Sequence, residues 1–280
     1  MTASAPPAFP RAPAPTDAAF LAGLAEAALA AGVAIRRIEA EGVSASHKAD
    51  ASPVTEADHA AEAIICTRLA ALLPGVPVVA EEAMAAGTQV ECGNRFVLVD
   101  PLDGTREFIS GNGEYTVNIA LVEDGTPVLG VVYAPAKGLL FAGRPGAAFR
   151  ALRAPGAAVD AQDWTPIACR PVPQGPIVVA ASRSHGDPAT DALIARYQVA
   201  ERIPAGSALK FGLLAEGKVD LYPRLGTVME WDSAAGHALV VAAGGSVTRP
   251  DGSPLTYGHA TAGYKVHGFI AWGADAPASV

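Results

Sequence analysis

Asp100 and Asp103 stand three residues apart in Val97-Leu98-Val99-Asp100-Pro101-Leu102-Asp103-Gly104-Thr105, where an apolar run ends in an acidic turn. Two carboxylates at that spacing, with the Leu102 carbonyl turned toward the same point, converge as hard oxygen donors. Side by side they would repel or share a proton, so a divalent cation such as Mg²⁺ is the natural counter-charge. Three further acids take comparable places. Asp58 falls in the first turn of a predicted helix, Glu81 follows a short apolar strand, and Asp232 opens the alanine-rich stretch Trp231-Asp232-Ser233-Ala234-Ala235-Gly236. Each has a plainer reading: Thr55 and Asp58 have capping-box spacing, Glu81-Glu82 fits a solvated turn, and Asp232 fits an N-cap worth about 1 kcal/mol. Their joint placement at strand ends and helix starts, which line the crevice in layered α/β folds, favours a shared metal site. The Thr105 hydroxyl could steer a water toward phosphorus while Asp58 takes its proton, or it could merely cap the turn. The backbone N–H groups near Gly104 would face phosphate oxygens.

The elements that must carry these residues follow from apolar spacing. Phe20, Leu24, Ala28, Ala31, Ile35 and Ile38 predict a helix ending before Gly42, and Ile64, Ile65, Leu69 and Leu72 give a second helix its buried stripe. Strands are expected at 76–80 and 96–99, the latter stopped by Pro101, which lacks a backbone donor. From Tyr115 to Arg150, apolar runs broken by Glu123-Asp124-Gly125, Ala136-Lys137-Gly138 and Arg144-Pro145-Gly146 predict an antiparallel meander. A proline-rich stretch then leads to a strand at 177–181. Helices are expected around 187–197, 207–217 and 231–243, with strands at 219–222, near 246 and at 266–272. The expected organisation is a disordered Pro/Ala-rich arm at 1–15, an N-terminal α+β domain at 16–160 holding most of the metal ligands, and a C-terminal α/β domain at 161–280.

Among 280 residues, half are hydrophobic, enough for a substantial core. A net charge of −8 without any Lys/Arg run argues against nucleic-acid polymers as partners. The three scattered cysteines, Cys66, Cys92 and Cys169, fit free thiols in a reducing cytoplasm. No uninterrupted apolar run reaches the roughly 18 to 20 residues that span a bilayer, so no transmembrane segment is expected, although peripheral membrane association stays open.

These segments resemble the lithium-sensitive, metal-dependent phosphomonoesterase superfamily that includes the inositol monophosphatases. The likeness rests on Val54-Thr55-Glu56-Ala57-Asp58, Glu81-Glu82, Asp100 to Thr105 and Trp231 to Gly236, in family order from about residue 17 onward. Within it, Gly104-Thr105-Arg106-Glu107-Phe108-Ile109, Asn112 to Leu121, Ser182-Arg183-Ser184-His185, Gly206-Ser207-Ala208-Leu209-Lys210-Phe211 and Leu221-Tyr222-Pro223-Arg224 resemble the bacterial 3′(2′),5′-bisphosphate nucleotidases of the CysQ type. Arg106 stands where members often carry Lys. The resemblance implies a layered αβαβα sandwich and two Mg²⁺ ions, or three. Glu81, Asp100 and the Leu102 carbonyl would hold one ion, and Asp100, Asp103 and Asp232 the second, with Asp58 and Thr105 catalytic. It further implies substrate contacts from Glu81, Leu102, Asp103, Gly104, Thr105, Ser207, Lys210, Arg224 and Asp232; Arg183, His185 and Lys48 are weaker candidates. The expected reaction converts adenosine 3′,5′-bisphosphate, formed in sulfate assimilation, to AMP and phosphate, with phosphoadenylyl sulfate a second substrate. The alternatives are an inositol-1-phosphatase or other sugar phosphatase, or a non-catalytic nucleotide- and metal-binding regulator. The chain is expected to act as a monomer or homodimer.

Overall fold

A computed structural model describes residues 14–43, 45–47, 53–182 and 186–275. Most of the expected arm, together with Lys48, Arg183 and His185, lies outside the described residues. Helix α1 (Pro15–Glu41) uses Pro15 at its first position, where the missing N–H costs nothing, so the helix begins inside the expected arm. A short antiparallel ribbon, β1 (Ala45–His47) with β2 (Pro53–Thr55), precedes α2 (Glu56–Leu72). Then follow β3 (Val78–Ala80), α3 (Glu81–Ala85), β4 (Arg95–Asp103), α4 (Thr105–Ile109), β5 (Thr116–Glu123), β6 (Thr126–Ala134), β7 (Leu139–Arg144), β8 (Ala147–Leu152) and β9 (Thr165–Ile167). These strands form a seven-stranded sheet in sequence order, antiparallel except for the β3–β4 pair. The second half comprises β10 (Ile177–Ser182), α5 (Pro188–Ile194), β11 (Val199–Ala205), α6 (Leu209–Ala215), β12 (Leu221–Arg224), β13 (Val228–Met229), α7 (Glu230–Ala242), β14 (Ser246–Thr248), β15 (Lys265–Val266) and β16 (Phe269–Trp272). Five of its strands make a mixed sheet in the order β11-β10-β12-β16-β14.

Side-chain alternation along the strands sets the layers. Val97, Val99, Ile119 and Tyr133 point from the large sheet into α1 and α2, where Leu24, Ala28, Ile35, Ala61, Ile65 and Leu69 meet them. Phe96, Leu98, Val122 and Phe141 point the other way, onto Leu214 of α6, Ala235 and Leu239 of α7, and Tyr222 and Phe269 of the small sheet. Leu221, Ile270 and Trp272 leave the outer face of that sheet to pack on Leu193 and Ile194 of α5. The order is therefore α/β/α/β/α. Strand β9 carries the first sheet past residue 160, and α7 covers that sheet from the second half of the chain.

Two expectations need correction. Helix α1 has, over Asp17–Glu41, the length and apolar composition of a bilayer span, against the expectation of no apolar run of that length; just over half of its apolar window is buried in the fold, Leu24, Ala28, Ala31 and Ile35 completely, while Val33 is exposed. Pro101 does not end the strand either. Strand β4 continues to Asp103, and Pro101 falls where its ladder with β5 is interrupted.

Candidate active site

That interruption brings the acidic pair together. Asp100 lies opposite Asn118 and Asp103 opposite Thr116, so two residues of β4 face only Val117 across the ladder, as in a β-bulge. Three-residue spacing on a regular strand would send the two carboxylates to opposite faces; the extra residue returns both to the face of Thr116 and Asn118. The Asp100 Oδ1 accepts from Leu102 N at 3.0 Å, which fixes the turn. Asp103 Oδ2 accepts from Ser207 Oγ at 2.6 Å and from Asn118 Nδ2 at 3.4 Å. Gly104, at φ 91°, takes the left-handed conformation that lets α4 start immediately afterward.

Asp58 and Asp232 are placed by one device. Each is the third residue of its helix and accepts from the backbone N–H of the residue preceding that helix: Thr55 for α2 at 2.7 Å and Met229 for α7 at 2.8 Å. Asp232 therefore does not sit at the N-cap position, which belongs to Met229. For Asp58 this leaves Oδ1 to accept from Thr105 Oγ1 at 3.3 Å, and the same hydroxyl lies 3.4 Å from the Leu102 carbonyl oxygen. Glu81 opens α3. The first amides of that helix, those of Glu82 and Ala83, are taken by Glu62 of α2 at 2.7 and 2.9 Å.

One cavity of about 330 Å³ collects most of these groups. Glu81, Asp103, Thr105 and Asp232 line it together with Ser207, Lys210, Tyr222 and Arg224. Asp100 and Asp58 stand behind that wall, almost wholly buried. Burial, then repulsion from Glu81 and Asp103, holds the Asp100 carboxyl well above the usual carboxylate range. Burial, with Asp103 and Glu81 nearby, pushes Asp232 up to about 8. Such a group lacks positive charge, and its donors are all oxygen, the set a hard divalent cation takes. The residues fit the ion. Among the described residues, no three acidic, histidine or cysteine side chains already close around one point, so an ion would have to draw them nearer.

Among the described residues, three cations line the cavity: Arg106 of α4, beside the acidic wall, and Lys210 of α6 and Arg224 of β12 across from it. Lys210 is 3% exposed, and its Nζ donates to Ser207 O at 2.7 Å and Ala205 O at 3.1 Å and stands 5.3 Å from the centre of the Tyr222 ring. Desolvation lowers its pKa to about 8, against the opposing pull of Asp103. Arg224 Nε is buried and has no hydrogen-bond partner among the described residues, although the guanidinium is electrostatically coupled to the Asp187 carboxylate. A buried unpaired donor beside an open cavity is a place for an anionic oxygen.

The structure thus brings Glu81, Asp103, Gly104, Thr105, Ser207, Lys210, Arg224 and Asp232 into one cavity, while Asp58, Asp100 and Leu102 are buried behind it and do not line it. Buried Glu107 also lines it, yet it carried no assignment because a glutamate in a short amphipathic segment has no spacing signature of its own. Cys66, Cys92 and Cys169 are free.

Fold and site together define a phosphatase: the chain belongs to the inositol monophosphatase family, whose profile matches residues 17–268. It is 43% identical over 210 residues, 75% of this chain and 81% of the relative, to the 3′(2′),5′-bisphosphate nucleotidase CysQ of Escherichia coli (strain K12). The crystal structure of CysQ from Bacteroides thetaiotaomicron, a bacterial member of the same family, is similar with a TM-score of 0.76 at 35% identity, covering 92% of this chain and 97% of that one. The inositol monophosphatase of Anabaena (Nostoc) sp. PCC 7120 is similar with a TM-score of 0.69 at 25% identity, covering 93% and 92%.

Proposed function

We propose that the protein removes the 3′-phosphate of adenosine 3′,5′-bisphosphate, giving AMP and inorganic phosphate, with Mg²⁺ as its cofactor. The observation that carries this reading is one cavity with an acidic wall, where Arg106 also stands, on one side and two further cations, Lys210 and Arg224, on the other. An inositol monophosphate has one phosphate to place; a nucleotide bisphosphate has two, and the cationic side gives the second a partner. The relationship to the CysQ nucleotidases supports the same choice.

Glu81, Asp100, the Leu102 carbonyl, Asp103 and Asp232 are the groups that would hold the cations. When bound, Mg²⁺ supplies Lewis acidity and cancels the charge that would otherwise repel a phosphate ester. The chain's own residues do the rest. Thr105 Oγ1, tied to Asp58, orients the attacking water, and Asp58 accepts its proton. Gly104 and the start of α4 present backbone to the scissile phosphate. Ser207 steadies Asp103, while Lys210 and Arg224 hold the 5′-phosphate.

Phosphate release by the purified protein is the test, with adenosine 3′,5′-bisphosphate, phosphoadenylyl sulfate, inositol 1-phosphate and fructose 1,6-bisphosphate, in Mg²⁺ or in EDTA. The highest kcat/KM is expected for the nucleotide bisphosphate, with activity lost in EDTA and reduced at least 100-fold in Asp103→Asn, about 2.7 kcal/mol. Preference for inositol 1-phosphate would assign a sugar phosphatase. Tight nucleotide binding without turnover would assign a regulator.

A further inference from the structure

Lys210 lines the cavity with its ammonium held by two backbone carbonyls. Its Nζ donates to Ala205 O at 3.1 Å, and the peptide group that owns this carbonyl also owns the Gly206 N–H. That N–H donates to Glu114 Oε2 at 2.9 Å. A trans peptide is planar and carries a dipole along its N–H and C=O bonds, so Glu114 and Lys210 grip opposite ends of one rigid unit with complementary charge. The carboxylate sits at the positive end and the ammonium at the negative end.

The two segments are in close contact. A Cβ at residue 206 would lie 2.6 Å from the Glu114 carbonyl oxygen, so the backbone of 205–207 lies directly against that of residue 114. Ser207 follows at φ 53°, an uncommon conformation for a serine, and its hydroxyl meets Thr116 as well as Asp103. Glu114 belongs to the segment joining α4 to β5, on the acidic side of the site, whereas Gly206 opens the turn into α6. Lys137, at a half-exposed position, lies 3.8 Å from the other Glu114 oxygen.

We propose that Glu114 is a positioning residue: through the 205–206 peptide it fixes the turn that carries Lys210, and thereby sets how tightly an ester with a second anionic group is held. The first clause rests on geometry alone; the second rests on the reading of Lys210 as the partner of the 5′-phosphate. The same turn carries Ser207, whose hydroxyl donates to Asp103, so Glu114 bears on the distal group through Lys210 and, more weakly, on the acidic wall through Ser207.

The test compares wild type, Glu114→Ala and Glu114→Gln, the last keeping an acceptor for the Gly206 amide. Steady-state kinetics are read with adenosine 3′,5′-bisphosphate and with adenosine 3′-monophosphate, which lacks the distal phosphate, and backbone amide exchange is followed over 205–211. Glu114→Ala is expected to raise KM for the bisphosphate about tenfold, to change KM for the monophosphate less than about twofold, to lower kcat for both substrates by a common factor through the Ser207–Asp103 bond, and to speed exchange in 205–211 while distant segments keep their rates. Glu114→Gln, which keeps the acceptor but not the charge, is expected to keep exchange in 205–211 within about twofold of wild type and to raise KM for the bisphosphate less than Glu114→Ala does. Unchanged exchange in Glu114→Ala overturns the positioning role, and equal KM increases for the two substrates overturn its link to the distal group. If wild type itself does not distinguish the two nucleotides, the proposed function fails, and the exchange measurement alone decides the role of Glu114.

Discussion

A buried ammonium holds its proton less tightly than a hydrated one, and Lys210 keeps its charge only up to about pH 8. Below that value the lysine is cationic and able to meet a phosphate; above it the charge is lost. KM for adenosine 3′,5′-bisphosphate is therefore expected to rise as pH passes 8, and Lys210→Met should raise KM at pH 7 by roughly ten- to a hundredfold, the scale of a charge-assisted hydrogen bond, while removing the alkaline rise. Initial rates between pH 6.5 and 9.5 check both points; a variant that still shows the alkaline limb would assign it to another group. On the acidic side, Thr105 is bonded to Asp58 and touches no phosphate-binding cation. Thr105→Val keeps the shape but removes the hydroxyl, so kcat is expected to fall by about 10²- to 10⁴-fold, the range of general-base effects, with KM nearly constant. Single-turnover rates at saturating substrate read that loss directly.

Helix α7 delivers Asp232 to the site only because the sheet beneath it lets it come close. A Cβ at Gly130 of β6 would stand 2.3 Å from the Ala235 carbonyl oxygen, and one at Gly143 of β7 would stand 2.7 Å from Leu239 Cα. Neither obstacle is a side chain that could rotate away. Gly130→Ala is expected to cost about 1–3 kcal/mol of stability, as overpacked cores do, and to weaken Mg²⁺ binding by shifting Asp232; chemical denaturation and metal titration measure the two effects separately. Wild-type stability in that variant would show that α7 can ride outward freely. The sequence showed α7 through its alanine run and its Asp232, but it could not show this spacing, which is decided between distant elements. It also misplaced the role of Pro101. A proline read alone ends a strand, whereas its position opposite the break in pairing with β5 makes it part of the bulge that aligns Asp100 with Asp103. Strand β11 escaped notice because Glu201, Arg202 and Pro204 are exposed at a sheet edge, where polar residues and proline protect against unwanted pairing. The acid positions were legible because helix-start and strand-end signals are local. The contact of Glu114 with Gly206, 92 residues apart, had no local signal at all.

At the scale of the molecule, one buried acid group and one buried histidine pull stability in opposite directions with pH. His237, packed beside Tyr257, is lowered to about 3 by burial, so the folded protein keeps it neutral while the unfolded chain takes up a proton near 6.5. Its contribution is present above about pH 6.5 and is lost as pH falls toward 3. Asp232 behaves conversely: raised to about 8, it retains a proton that the unfolded chain releases near 3.8. The folded state then binds more protons than the unfolded state between those values, and stability falls as pH rises through them. Above pH 6.5 the histidine contribution is complete and the carboxyl contribution is still growing, while the approach to pH 8 also brings in Lys210, whose proton leaves near there and works against the fall. Metal-free protein in EDTA is expected to melt at progressively lower temperature from pH 6.5 to 8. Saturating Mg²⁺ should abolish or invert that slope, because binding to the ionised acids adds stability in proportion to occupancy. Replacing Asp232 with Asn should flatten the EDTA slope and remove most of the Mg²⁺ response. Thermal melts of the two proteins at three pH values, each with EDTA and with Mg²⁺, decide the matter; a metal-free melting temperature that climbs across this window would mean that the four acids are not electrostatically joined, and the site would lose its reason to gather cations.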